Sequence, residues 1–338
     1  MEEDPPVVRD TPALERRARD FLRQHAWPGT PAAGTADASD TADASDTAAA
    51  SRARMAALWD GEGRDDPDVE EEWLALPTGD GHRIRVRILR PAGSDDPLPV
   101  VLYLHGLGWM LTDAYAHRRL VADLVLGADA AVVVPEYDGP RDARHPGAVE
   151  RAHTVARWIA RHGVEWRLDG ARMAVVGASA GAQHAASLAL LARERGGPRL
   201  RHQVLVCPVT DAAMDTPSYR QFAEGYFLSR ATMRGYWQQY APDPATRTQA
   251  TVSPLRAPAH SLRWLPPALV LTAEADVVRD EGEAYAARLR EADVPVVSVR
   301  YQGTIHAFLL FDLLRGTDAS RAARIQVTDT LYAALHAA

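Results

Sequence analysis

The sequence predicts an α/β fold, built on a doubly wound sheet of about eight mostly parallel strands with helices on both faces and a helical lid. Three observations point there. Short apolar runs alternate with longer stretches of helical periodicity from about residue 98 onward. An earlier run alternates apolar with charged residues, as antiparallel strands do. One late interval breaks the alternation and carries aromatics but no strand pattern.

In chain order, "TPALERRARDFLRQHAW" starts with Thr11-Pro12, a cap and first helical residue, and predicts a helix over 11–27. Leu14, Ala18, Phe21 and Leu22 share its apolar face, which needs something to pack against. Residues 30–50 hold the hexamer "TADASD" twice, and small polar residues of this kind cannot repay the entropy of ordering, so a flexible linker is expected. "RIRVRIL" (83–89) suits a half-exposed antiparallel edge strand. The runs at 98–105, 130–137, 172–179, 203–209, 267–273 and 296–302 are short and apolar, as strands covered on both faces are. Helical patterns occupy 115–127, 147–162, 180–194 and 281–292. Residues 210–265 contain Tyr219, Phe222, Tyr226, Phe227, Trp237, Tyr240 and Trp264, and are expected to form a helical lid, with a small unrelated domain as the alternative. The organisation is thus a lid helix plus linker (1–50), then one catalytic domain (51–338) interrupted by the insertion.

Bulk properties exclude several function classes. A chain of 338 residues, 46% hydrophobic, can bury a large core. A formal charge of −7 argues against a nucleic-acid partner, which requires a concentrated basic face. Cys207 is the single cysteine, so no intramolecular disulfide forms; its apolar setting "VLVCPV" marks a structural thiol and fits a reducing compartment. The N-terminus has no apolar segment of a signal peptide, and no run reaches the roughly twenty residues that span a bilayer, so no membrane partner and a cytoplasmic location are expected. No histidine has metal-ligand spacing, and neither a metal nor an organic cofactor is implied.

The chemistry is expected at Gly177-Ala178-Ser179-Ala180-Gly181, which directly follows an apolar strand and opens an alanine-rich helix. Small residues around a serine on such a turn lift its hydroxyl above the sheet, making Ser179 a candidate nucleophile. A serine nucleophile needs a base, and the base an orienting acid. His306 ends one strand run, while Glu274, Asp276 and Asp280 cluster after another; pattern alone does not choose among the three acids. Upstream, His105-Gly106-Leu107-Gly108-Trp109 forms a glycine-bearing turn after the run at 98–105.

Taken together, "HGLGW", "VVVPEYDGPRDARHPGAVE", "GASAG", "TPSY…AEGYFLSR…YW", "SPL…LPPALVLTAEADVVRDEGEAYA" and "YQGTIHAF" resemble the hormone-sensitive-lipase-like branch of the α/β hydrolases, bacterial carboxylesterases included, over about residues 98–312. The resemblance implies the α/β-hydrolase fold and picks Asp276, the first acid of D-x-x-R-D, beside Ser179 and His306. It places oxyanion-hole donors at Leu107, Gly108 and Ala180, and builds the lid from the N-terminal segment plus the insertion, where Tyr226 and Phe227 are pocket candidates. Asp113 and Tyr115 read equally as pocket or loop residues.

Members of that branch usually carry glycine where Leu107 stands. A leucine keeps its N–H, yet a left-handed conformation there would cost about 1–3 kcal/mol. Three readings follow from the resemblance. The first is a serine esterase acting on a small-molecule ester; the second, a lyase eliminating a carboxylate from an acylated metabolite. The third, a non-catalytic receptor, fits less well because His306 is present. Apolar or aromatic ligands suit the aromatic-rich insertion. Assembly as a homodimer is left open.

Overall fold

The computed structural model describes residues 12–25, 66, 68–77, 83–106, 108–109, 117–136 and 144–337. The linker at 30–50, Thr11, Leu107, Asp113 and Tyr115 lie outside the described residues.

Eight strands form one sheet among the described residues, in the order β1-β2-β4-β3-β5-β6-β7-β8. They are β1 (Val69–Pro77), β2 (Arg83–Pro91), β3 (Leu98–Leu104), β4 (Ala131–Pro135), β5 (Leu168–Ala178), β6 (His202–Val206), β7 (Ala268–Ala275) and β8 (Val296–Ile305). The pairs β1–β2 and β2–β4 are antiparallel and every other pair is parallel. Side chains alternate across a strand, so β3 sends Val101 and Tyr103 into one core and Val100, Leu102 and Leu104 into the other. Helices α2 (Arg118–Ala128) and α10 (Asp318–His336) cover the first face, and α3 (Gly147–His162), α4 (Ala180–Glu194) and α8 (Arg279–Glu291) the second. From β3 the order runs to β4 on one side and β5 on the other. The crevice beyond the carboxyl ends of β3 and β5 is therefore a topological switch point, where such sheets bind ligands.

Between β6 and β7 the described chain is helical and irregular, with α5 (Pro217–Gln221), α6 (Arg230–Tyr240) and α7 (Ala259–Leu262). The short helix α9 (Asp312–Arg315) precedes α10. At the start of the chain, α1 (Arg16–Gln24) buries Ala18 and Phe21, while Leu14 and Leu22 are partly buried against the same core. Phe21 meets Phe227 of the insertion at 5.6 Å and Phe311 at 5.2 Å, so the apolar face expected of this helix has its partners. Among the described residues no helix is long and apolar enough to cross a membrane.

Two sequence expectations are corrected. β2 is not an edge strand: β1 lies outside it, and two of its arginines, Arg87 and Arg90, face acids of β1, while Arg83 and Arg85 stay exposed. Arg87, whose side chain is 1% exposed, pairs with Glu71 at 2.9 Å, and Arg90 with Glu72 at 3.3 Å. A run of three glutamates hid β1, because the alternation that marks a strand is masked when the charges on it are neutralised across the ladder. Helix α1 begins at Arg16, later than a start at Thr11-Pro12 predicts, because residues 12–15 serve as a tether. The Glu15 N–H donates to the Gly303 carbonyl at 2.7 Å, and its carboxylate accepts the N–H groups of Asp318 and Ala319, each at 2.9 Å. That carboxylate caps α10, which the sequence reading did not include. The spacing of Ala319, Ala323, Val327, Leu331 and Leu335 announces α10 every fourth residue, with Thr317 as its N-cap.

Candidate active site

Ser179 sits between β5 and α4 with φ 56° and ψ −121°, a strained backbone for a residue with a side chain. The flanking glycines allow the turn. A Cβ on Gly177 would stand 2.1 Å from the Gly181 carbonyl oxygen, and one on Gly181 would stand 1.9 Å from that of Leu104. Strand, turn and helix thus close to a distance only glycine permits. The turn is fixed further by the Ser179 N–H donating to Val206 at 2.8 Å.

Two other strand ends deliver the partners. His306, just past β8, places Nε2 2.9 Å from Ser179 Oγ and Nδ1 2.7 Å from Asp276 Oδ2. Asp276, just past β7, is 1% exposed, and its other oxygen accepts the Val278 N–H at 3.1 Å. Because a carboxylate only accepts, it selects the Nδ1–H tautomer and leaves Nε2 as the acceptor for the serine proton. The geometry also separates Asp276 from the other two acids. Glu274 accepts the Gly303 N–H at 2.7 Å, and Asp280 accepts that of Ser218 at 2.7 Å and pairs with Arg279.

The turn after β3 lies against this elbow. A Cβ on Gly106 would come within 1.9 Å of the Ala178 carbonyl oxygen. Gly108 and Trp109 are both left-handed, at φ 61° and 63°. Ala180 opens α4, where the first N–H groups have no intrahelical acceptor and form the positive end of the helix dipole. Behind the turn, His105, His117 and His184 are buried, and the Tyr103 hydroxyl lies 2.7 Å from His117 Nδ1. Burial pushes His117 and His184 down to about 3, so both are neutral near pH 7. Of the pocket candidates, Phe227 packs with Phe21 and Phe311, while Tyr226 is half-buried, edge-on to Phe222.

Sequence reasoning passed over Gln183, which accepts the indole N–H of Trp109 at 3.1 Å. A glutamine one helical turn after a candidate nucleophile is the signal that could have found it. Cys207 is buried, and burial together with the nearby Asp276 charge pushes its thiol up, so it stays protonated as a structural thiol should. Its sulfur, an Asp276 oxygen and a His306 nitrogen lie within 4.8 Å of one another, the one such ligand-type grouping among the described residues. Asp276 and His306 already engage each other there, which suits proton relay better than metal binding. A groove of about 780 Å³ lined by Arg199, Trp264 and Pro295 lies at the opposite ends of the strands and holds none of these groups.

Comparison with known proteins agrees with this fold. Residues 101–310 match a family described as having the alpha/beta hydrolase fold. The chain is similar to the ethyl acetate hydrolase of Pseudomonas putida, 37% identical over 250 residues that cover 72% of this chain and 77% of that protein. It is also similar to carboxylesterase NlhH of Mycobacterium tuberculosis, 34% identical over 232 residues covering 68% and 73%. Among solved structures, a thermostable esterase from Pseudomonas putida ECU1011 superposes with TM-score 0.87 at 37% identity, covering 99% of this chain and all of the other.

Proposed function

This chain belongs to the α/β-hydrolase family, in its hormone-sensitive-lipase-like carboxylesterase branch, and we propose that Ser179, His306 and Asp276 cleave a carboxylic ester in it through an acyl-enzyme. Ser179 Oγ attacks the ester carbonyl while His306 Nε2 takes its proton. The imidazolium is stabilised by Asp276 through Nδ1–H, then returns the proton to the departing alkoxide, which leaves as the alcohol. Water, deprotonated by the same nitrogen, attacks the acyl-Ser179, releasing the carboxylic acid and restoring the serine. The N–H groups of Gly108 and Ala180 face the oxyanion, with Leu107 as the third donor expected from sequence; each such donor is worth about 10²–10³ in rate. The observation that carries the reading is the relay of 2.9 Å and 2.7 Å joining three side chains from three strand ends.

The substrate class is a small to medium apolar or aromatic ester. Support comes from α6, which lays Tyr236, Trp237 and Tyr240 over the Gly108–Trp109 turn and so acts as a lid. The Pseudomonas relative named for ethyl acetate supports a short acyl group. Hydrolysis is favoured over elimination because the relatives are named as hydrolases and esterases. A reducing, cytoplasmic setting belongs to the same reading, supported by the lone buried Cys207.

The test is turnover of p-nitrophenyl esters from acetyl to octanoyl by the wild type and by Ser179→Ala. A fall of about 10⁴-fold or more in kcat is expected in the mutant, as when a serine nucleophile is removed from other hydrolases. Equal turnover by the two proteins would refute the assignment.

A further inference from the structure

Gly108 and Trp109 are consecutive left-handed residues, and for a tryptophan that conformation persists only where the surroundings impose it. Two elements do so. From the insertion, Tyr240 lies flat on Trp109 with ring centroids 4.5 Å apart and 8° between planes, and Trp237 stands at 4.6 Å. Tyr236 covers Gly108 so closely that a Cβ there would come within 2.6 Å of its ring. From the nucleophile's own helix, Gln183 is fully buried one turn after Ser179 and accepts the Trp109 indole N–H at 3.1 Å.

The Gln183 amide can take only one orientation. The Ser187 hydroxyl donates its single hydrogen to the Thr251 carbonyl at 2.9 Å, so toward Gln183 Nε2, 2.9 Å away, it can only accept. The second Nε2 hydrogen goes to the same Thr251 carbonyl at 2.8 Å. A flipped amide would set NH₂ against the indole N–H, donor against donor, and its oxygen against a carbonyl. The amide oxygen is therefore held toward Trp109.

We propose that Gln183 is a positioning residue for the reaction: acting through Trp109, it fixes the Gly108 N–H in the oxyanion site and ties the turn, the nucleophile helix α4 and the lid helix α6 into one unit. The inference rests on the reading of Ser179 as nucleophile. Without the hydrogen bond, the left-handed Trp109 relaxes and the Gly108 N–H swings away from the developing oxyanion, while Ser179, His306 and Asp276 stay in place. The cost falls on the transition state rather than on ground-state binding.

The experiment is a double-mutant cycle of Gln183→Leu and Trp109→Phe, assayed with p-nitrophenyl butyrate. Active sites are counted by the p-nitrophenol released from a p-nitrophenyl alkylphosphonate, and affinity is measured for a trifluoromethyl ketone, which binds as an oxyanion. Each single variant should lower kcat per active site at least about tenfold, part of the 10²–10³ that a whole donor is worth. KM should stay within about twofold, and ketone affinity should fall in parallel with kcat. The double variant should be no slower than the slower single, since the two residues make one contact. Multiplicative losses, a change confined to KM, or wild-type kcat in either single would overturn the proposal. If Gln183→Leu does not fold, Trp109→Phe alone must show the paired loss of kcat and ketone affinity, and wild-type values there overturn it equally. A wild type without Ser179-dependent turnover sinks the esterase reading itself. Normal turnover in wild type and variants alike sinks only the positioning role.

Discussion

Gly181→Ala adds one methyl group away from the reacting atoms, yet it should cripple the enzyme. The new Cβ would lie 1.9 Å from the Leu104 carbonyl oxygen and 2.8 Å from the His105 carbonyl carbon, all backbone atoms with no rotamer to change. Packed carbon and oxygen do not approach closer than about 3 Å, so α4 and the end of β3 must part by roughly 1 Å. That displacement separates the two halves of the proposed oxyanion site, since Ala180 rides on α4 and Gly108 on the turn after β3. A misplacement of about 1 Å costs on the order of 10² in rate, or about 2.7 kcal/mol of transition-state stabilisation. The overpacking itself costs about 1–3 kcal/mol of stability, which a domain of this size survives. The assay is kcat/KM for p-nitrophenyl butyrate per phosphonate-titrated site, with thermal melting followed in parallel. A variant that melts within a few degrees of wild type and retains more than a fifth of its activity would refute the argument that glycine is demanded by close approach.

Three further outcomes are expected. Glu71→Ala removes the acid paired with the buried Arg87, and should destabilise the protein by about 1–3 kcal/mol in urea titration while leaving kcat unchanged, because β1 and β2 lie far in the sheet order from the elbow. Stability should fall as pH drops below about 6.5. His117 and His184 are held to about 3 when folded, so the unfolded chain binds their protons first and each removes roughly 1.4 kcal/mol per pH unit down to about pH 3. Urea titrations at pH 5, 6 and 7.5 check this, and a stability flat across that range would contradict the neutral burial of both rings. Phe21→Ala takes a ring 2% exposed out of contact with Phe227 and Phe311, and should let α1 detach; limited proteolysis near residues 12–25 should then precede global unfolding, at a cost of up to about 3–5 kcal/mol.

The parallel part of the sheet, the helices at 147–162 and 180–194, and the Ser179 elbow were legible because each is a local pattern. An apolar run, a 3.6-residue period and a strand–small–serine–small–helix junction all lie within one short window. The acid was not legible in that way. Glu274, Asp276 and Asp280 are equivalent in sequence; packing gives Glu274 to Gly303, Asp280 to Ser218 and only Asp276 to His306. The resemblance to known esterases reached the same residue by motif, without the reason.

What the sequence determined by itself was the order of strands and helices between about residues 98 and 302 and the chemical identity of a serine, a histidine and a choice of acids. Tertiary structure alone decided that a glutamate run is the outermost strand, since its charges are quenched by arginines one strand away. It also decided that Glu15 caps a helix some three hundred residues later, and that Gln183 accepts the indole N–H of Trp109 beside Gly108. Those outcomes depend on partners distant in sequence. A residue's own neighbours encode its backbone preference, whereas the charge or hydrogen bond that satisfies a buried polar group is chosen only when the chain has closed around it.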